Sequence, residues 1–311
     1  MECRHRHSKL ILPVHMQFLS ALLYHLIVRP ISVLPFSVLY RVSDVLYLIM
    51  VYIIRYRGKV VTGNIRRCFP ELKPVEQEAI IREFYRHFCD LLVESFKLFN
   101  ISEAALRERL VFENPEELNK YFREGRSVII AGGHYNNWEA LAVACQLYMD
   151  HQAVALYKPL ASKWFDRKMQ ETRGRYGLIL VPIQKTREWF ENWQGKPTGI
   201  IFGMDQSPSK VARSHWMTFL GQETAVIFGT EKYSREFNQP VVYGGIHKTS
   251  RGHYSVRFET VTDTTTPMAH GEIVERTMKL LERDILTAPA YWLWSHRRWK
   301  HRKPEAAQVS A

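Results

Sequence analysis

Cysteine is scarce in this chain of 311 residues. Cys3, Cys68, Cys89 and Cys145 stand far apart and form no Cys-x-x-Cys spacing, which excludes a disulfide framework and reads as reduced thiols on the cytoplasmic side. Thirteen histidines are present, yet no His-x-x-x-His or His-Glu-x-x-His spacing occurs, so no metal site is expected. No Gly-x-Ser-x-Gly elbow occurs and no cysteine adjoins a glycine turn, so no covalent nucleophile is expected. Internal repeats and low-complexity segments are missing too. Acids are in deficit, 31 against 43 lysines and arginines, for a net charge of +12. Such an excess favours an anionic partner: nucleic acid, anionic lipid headgroups or an acidic carrier protein. Eight tryptophans and fifteen tyrosines, many beside arginine or lysine, suit a membrane interface.

The start, Met1 to Lys9, is basic and leads into an apolar stretch from Leu10 to Ile54. It resembles a signal peptide in outline, but Pro13, His15 and Gln17 interrupt the first run and no small-residue cleavage site follows. The run Ile31 to Ile54 is long enough to cross a bilayer core of about 30 Å. Arg41 and Asp44 within it are spaced to neutralise each other on one helix face. Residues 1–60 are therefore expected to be a membrane anchor, a spanning helix in preference to a shallow hairpin. Residues 61–311 are expected to be a catalytic domain. A pair of buried core helices is the plain alternative.

Beyond the anchor, Val61 to Pro70 predicts a short helix and Pro74 starts another, which runs to Asn100 with Ile80, Phe84, Phe88, Leu91 and Phe96 on one face. From Asn114 helices and strands alternate. Strands are predicted at 127–131, 152–157, 178–181, 198–202, 240–247 and 254–261. Helices are predicted at 115–124, 138–150, 161–176, 186–194, 224–237 and 271–286. The fold class is α/β, a mostly parallel sheet flanked by helices.

The stretch that organises the chain is Ala131 to Glu139, a Gly132-Gly133 turn between a strand and a helix that carries His134 and Glu139. Paired glycines permit backbone angles closed to other residues, and the carboxyl end of a strand is where open α/β sheets place ligands. A histidine with a carboxylate to fix its tautomer is the equipment of general-base catalysis. A histidine that caps a helix terminus, beside a first-turn acid favoured by the helix dipole, explains the same residues. Other strand ends bring Lys158, the following helix brings Arg173 and Arg175, and the strand at 198–202 brings Asp205. Residues at successive strand ends converge, so all four are candidates for the pocket that His134 opens.

Gly133-His-Tyr-Asn-Asn-Trp-Glu139 resembles the His-x4-acid block of the glycerolipid acyltransferase superfamily, in the form typical of the bacterial late lipid A acyltransferases. Tyr157-Lys158-Pro159 with Arg173 and Arg175, Asp205, and Tyr291 to Lys300 resemble three further blocks of that family, in order. Lys158 departs from the usual arginine, and Asp205-Gln206-Ser207 from the commoner pattern after the aspartate. The resemblance implies an O-acyltransferase that moves a fatty acyl chain from a thioester, on acyl carrier protein, to a hydroxyl of a phosphorylated lipid A precursor. It implies His134 as base with Glu139 as its partner, and no cofactor beyond the acyl thioester. Arg173, Arg175, Lys158 and Asp205 would bind substrate, with the arginines on phosphate or oxyanion. It implies the cytoplasmic side of the inner membrane and an anionic membrane surface as partner, with no nucleic acid. Two alternatives stand beside it: an acyltransferase for another lipid, such as an ornithine lipid or a lysophospholipid, and a non-enzymatic protein that binds membrane or nucleic acid through the basic, aromatic segment Tyr291 to Lys303.

Overall fold

The computed structural model describes residues 14–209 and 211–303. The basic start Met1 to Lys9 and Cys3 lie outside them. The chain opens with α1 (Val14–Leu23), a π-helical turn Tyr24–Val28 and α2 (Arg29–Val33), then breaks at Leu34 and Pro35 into α3 (Phe36–Leu48) and a second π turn, Ile49–Ile54. Proline lacks the N–H that would continue the helix. Lys97 closes the break by donating to the Leu34 carbonyl at 2.8 Å. Among the described residues, Phe36–Ile54 is one helix long and apolar enough to cross a membrane.

These helices pack on the rest of the chain. Leu39, Ser43, Tyr47 and Met50 are buried, and Tyr24 meets the rings of Phe99 and Trp164 edge-on. The expected Arg41–Asp44 pairing is absent. Asp44 instead pairs with Arg251 at 2.6 Å, and the same guanidinium reaches Asp90, which also accepts the Ser43 hydroxyl. A partner distant in sequence wins because α3 lies along a later helix that carries Asp90, and the Arg251 guanidinium bridges Asp90 and Asp44.

Next come α4 (Gly58–Cys68) and the long α5 (Pro74–Lys97). Proline sits at the first turn of α5, where its missing N–H costs nothing, and Glu76 reaches back to accept the Lys73 N–H at 2.7 Å. Then follow α6 (Glu103–Arg109), β1 (Leu110–Phe112), α7 (Glu116–Arg123), β2 (Val128–Gly132), α8 (Trp138–Ala144), β3 (Gln152–Tyr157), α9 (Lys163–Arg173), β4 (Ile179–Pro182), α10 (Thr186–Asn192) and β5 (Thr198–Gly203). The chain finishes with β6 (Ser214–Phe219), β7 (Gln222–Ile227), α11 (Gly229–Phe237), β8 (Val241–Ser250), β9 (His253–Thr262) and α12 (Glu272–Thr287).

Seven strands form one sheet in the order β1-β9-β8-β2-β5-β3-β4. All neighbours are parallel except β8 and β9. The expected α/β class with a mostly parallel sheet is therefore what forms. Alternate strand residues feed two apolar layers. Ile129 and Ala131 of β2 join α4, α5 and α12, while Val128 and Ile130 join α6, α7 and α8, as the two-residue period of a strand covered on both faces requires.

One helix prediction fails. Residues 224–227 belong to β7, paired antiparallel with β6, and α11 begins only at Gly229. The hairpin turns on Leu220 and Gly221, both at positive φ. Leucine is a rare residue in that conformation, so the turn gives little signal. The short edge strand β1 and the strand β6 are not among the predicted strands.

Candidate active site

Strand β2 stops at Gly132, and the chain turns through Gly133 to His134 before α8. The glycines answer to space. Neither has a positive φ, contrary to the expectation of unusual backbone angles. A Cβ on Gly133 would lie 2.6 Å from a methyl of Leu281 and 3.2 Å from Asp205 Oδ2, and one on Gly132 would lie 3.2 Å from the Gly244 carbonyl. The left-handed residue of the turn is Asn136, at φ 53. Its N–H donates to the Tyr291 carbonyl at 3.0 Å and its Nδ2 to the Ile246 carbonyl at 2.7 Å. Asn137 caps α8 by accepting the Ala140 N–H at 2.8 Å, while its Nδ2 donates to buried Glu94 at 2.7 Å.

The structure brings His134 and Asp205 together. Asp205 follows β5, the strand beside β2, and its Oδ1 lies 2.7 Å from His134 Nδ1. Its Oδ2 accepts the His134 backbone N–H at 2.8 Å and the Trp292 indole N–H at 2.7 Å. With Nδ1–H given to the carboxylate, the lone pair of the ring lies on Nε2, 3.1 Å from the Gln206 amide. The Trp138 ring stands edge-on to the imidazole at 5.1 Å between centroids. His134 is 24% exposed at its side chain and Asp205 2%, so the imidazole reaches solvent and the carboxylate does not. Burial alone would lower the histidine pKa, but the charge and hydrogen bond of Asp205 override it, and the net displacement is upward. For Asp205, burial pushes up while the His134 charge and its hydrogen bonds pull down, and the carboxyl ends at about 2.

Glu139 does not make the expected contact. Its carboxylate takes a bidentate pair from Arg173, Nε at 3.0 Å and Nη2 at 2.7 Å, and no hydrogen bond links it to His134 among the described residues. On the first turn of α8 it faces the end of α9. The acid five residues on in sequence thus holds the arginine, and the acid of the neighbouring strand end holds the histidine. Both members of the Glu139–Arg173 pair act on His134 through space, the first raising its pKa and the second lowering it. Arg175 is turned away, with its guanidinium donating to the Phe99 and Ile101 carbonyls. Lys158 is exposed just past β3.

The C-terminal segment is part of the site and not a free basic strip. Trp292, Trp294 and Arg298 are buried, and Tyr135 and Trp292 form a single antiparallel bridge. Leu293 N–H donates to the His134 carbonyl at 3.2 Å, and Ser207 N–H to His296 Nε2 at 2.9 Å. Burial lowers the His296 pKa. Gln206, Trp292 and His296 carried no assigned role in the sequence reading. Their signal was membership of two blocks, around Asp205 and from Tyr291 to Lys300, whose packing together no periodicity reveals. No group of three or more metal-capable side chains occurs among the described residues.

Residues 8–301 match the family described as bacterial lipid A biosynthesis acyltransferase. The chain is 24% identical over 259 residues to the lipid A biosynthesis palmitoleoyltransferase of Escherichia coli K12, covering 80% of each. It is 20% identical over 270 residues to the lipid A biosynthesis lauroyltransferase of the same organism, covering 86% of this chain and 87% of the relative. A lipid A biosynthesis acyltransferase of Haemophilus influenzae is 20% identical over 251 residues. With a sheet that sets His134 against Asp205 and a family match over nearly its full length, the chain belongs to the bacterial lipid A biosynthesis acyltransferases and is an acyltransferase.

Proposed function

We propose that the protein transfers a fatty acyl chain from the thioester of acyl carrier protein to a hydroxyl of a lipid A precursor, with His134 as general base. The observation that carries this is the 2.7 Å contact between His134 Nδ1 and buried Asp205, which leaves Nε2 as the basic nitrogen. The acceptor hydroxyl displaces the Gln206 amide from Nε2 and gives up its proton there as its oxygen attacks the thioester carbonyl. The C–O bond forms, the C–S bond breaks, and the imidazolium returns the proton to the departing sulfur, releasing the carrier thiol. Asp205 stabilises the imidazolium through the attack. Arg173 keeps Nη1 outside its pair with Glu139 and is the guanidinium offered to the developing oxyanion. Glu139 holds it there. Asp205 thereby takes the tautomer-fixing part that the sequence reading gave to Glu139.

The bilayer is the partner for the first helices. Phe18, Leu22, Leu26, Val45, Leu48 and Ile53 are exposed apolar side chains on α1 to α3 and the turns that extend them, and Arg29, Arg41, Arg55 and Arg57 lie among or beside them in sequence. An apolar face with arginines suits an anionic inner-membrane surface, with the catalytic domain on the cytoplasmic side where acyl carrier protein supplies the donor. The deciding experiment incubates purified protein with acyl carrier protein loaded with a fatty acid and a lipid A precursor, with mass spectrometry of the lipid. One added acyl chain with wild type and none with His134→Ala is expected. Equal product from both would remove His134 as the base.

A further inference from the structure

Asp90 and Glu94 lie one turn apart on the face of α5 that meets α3, and the fold serves them differently. Asp90 takes the Arg251 guanidinium and the Ser43 hydroxyl, each at 2.7 Å. Glu94 is 4% exposed, and no cation pairs with it among the described residues. Its partners are neutral donors. The Tyr40 hydroxyl of α3 gives to Oε1 at 3.0 Å, and the Tyr254 hydroxyl of β9 and Asn137 Nδ2 give to Oε2 at 2.9 and 2.7 Å. Burying a carboxyl without a cation costs stability. An acid kept at such a place, against the turn that carries His134, is a candidate for a part in the reaction.

Asn137 stands between His134 and Glu139, and its side-chain amide has one accepting end and one donating end. Oδ1 accepts the Ala140 N–H at 2.8 Å and so caps α8, while Nδ2 faces Glu94. Turned over, the amide would set its oxygen against a Glu94 oxygen and its NH2 against the Ala140 N–H. The Glu94 carboxyl thus decides which end of Asn137 meets α8, and the hydroxyls of Tyr40 and Tyr254 hold that carboxyl in place. α8 is only 7 residues long, and so short a helix depends on its cap. Its first turn carries Glu139, which grips Arg173 with both oxygens, and Trp138, whose ring stands edge-on to the His134 imidazole at 5.1 Å. A shift at Asn137 therefore reaches both the guanidinium and the ring beside the base.

We propose that Glu94 is a positioning residue for acyl transfer: by accepting from Asn137 Nδ2 it fixes the first turn of α8, and with it the Glu139–Arg173 pair and the Trp138 ring beside His134. Glu94 touches no substrate and acts through Asn137. The step it serves rests on the transferase reading, while its hold on the turn does not.

The test compares the full-length wild type with Glu94→Gln, Glu94→Leu, Asn137→Ser and Glu94→Leu/Asn137→Ser in the transfer assay. Glu94→Gln keeps an oxygen for Asn137 and should hold kcat within about threefold of wild type. Glu94→Leu removes that oxygen and should lower kcat by about tenfold or more, with KM for both substrates little changed, because the displaced groups act in the transition state. Asn137→Ser keeps a capping hydroxyl but loses the amide, so kcat should fall by a similar factor. Adding Glu94→Leu to it should cost at most about twofold more, since residues that act through one contact are not additive. Losses that multiply in the double variant overturn the proposal, as does a raised KM with unchanged kcat, or a Glu94→Gln enzyme as slow as Glu94→Leu. Should Glu94→Leu fail to fold, Asn137→Ser decides, and a wild-type kcat in that variant overturns the proposal. Hydrogen exchange over residues 134–144 reads the turn without turnover, and it should quicken in Glu94→Leu and stay as in wild type in Glu94→Gln. Absence of transfer by wild type would overturn the proposed function, and exchange alone would then decide whether Glu94 holds the turn.

Discussion

The indole N–H of Trp292 and the backbone N–H of His134 donate to the same oxygen of Asp205, at 2.7 and 2.8 Å. A residue of the C-terminal segment and the histidine of the glycine turn are thereby held to one carboxylate, whose other oxygen receives the imidazole. Three N–H donors around a buried carboxylate keep it ionised. An ionised Asp205 in turn keeps His134 basic.

Asp205→Asn should reduce kcat by about 10²- to 10⁴-fold, the usual scale for general acid–base assistance. Removing the negative charge lets burial dominate, so the His134 pKa falls from its raised position. Because the base must be neutral to act, the acid limb of the kcat/KM profile should move to lower pH in the variant. A limb that stays in place would show that Asp205 does not set the basicity of His134. In the wild type, a carboxyl lowered from 3.8 to about 2 by folding contributes stability above pH 4 that is lost as pH falls through 2, of order 2 kcal/mol.

Trp292→Phe keeps the ring and removes the donor to Asp205 Oδ2. A hydrogen bond to a charged group is worth about 1.5–3 kcal/mol, so denaturant unfolding should show a loss of that size, with turnover reduced about tenfold or more as the carboxylate loosens. Unchanged stability would mean that the indole contact carries no weight.

Glu94 accepts from Asn137, Tyr254 and Tyr40 and is 4% exposed. Burial pushes its carboxyl from 4.5 up to about 7. A raised folded pKa means that the folded state binds the proton more tightly, so the contribution to stability is full below pH 4.5 and is lost as pH rises through 7. Relative to wild type, Glu94→Gln should therefore gain stability between pH 5 and pH 8, by about 3 kcal/mol. Urea unfolding at both pH values reads it, and an equal difference at both would refute the assignment.

Arg173→Lys keeps a positive charge but not the fork that grips Glu139. The rate of acyl transfer should fall by at least tenfold, whereas Arg175→Ala should leave the rate near wild type and lower stability by about 1–2 kcal/mol through the two carbonyls it abandons. The reverse pattern in kcat and melting temperature would exchange their roles.

Phe18 and Leu26 are 69% and 66% exposed. If a bilayer covers that face, Phe18→Ser with Leu26→Ser should weaken liposome binding by tenfold or more, since burying one such side chain is worth about 1.5–3 kcal/mol. Flotation with anionic vesicles measures it, and undiminished binding would place the membrane contact elsewhere.

Much of this protein was legible from residue order. The alternation from Asn114 onward, the proline that opens α5 and the strand before Gly132 are local signals, because side-chain periodicity and backbone limits act over a few residues. The placement of His134 at the carboxyl end of a strand followed from the same local rules. Residues 224–227 escape local rules because the Leu220-Gly221 turn uses a residue seldom found at positive φ.

The partners of the site were a different matter. Residue order carries an α/β sheet, a histidine at a strand end and a set of cations and acids at the neighbouring ends. The three-dimensional packing is what gives Asp205 to His134 and Glu139 to Arg173, and what brings Trp292 onto the carboxylate from the far end of the chain. The reason is geometric. Local rules aim a side chain along its own helix or strand, but a hydrogen bond a few ångströms long is fixed by which strands become neighbours, and the adjacency of β2 and β5 is a property of the whole sheet.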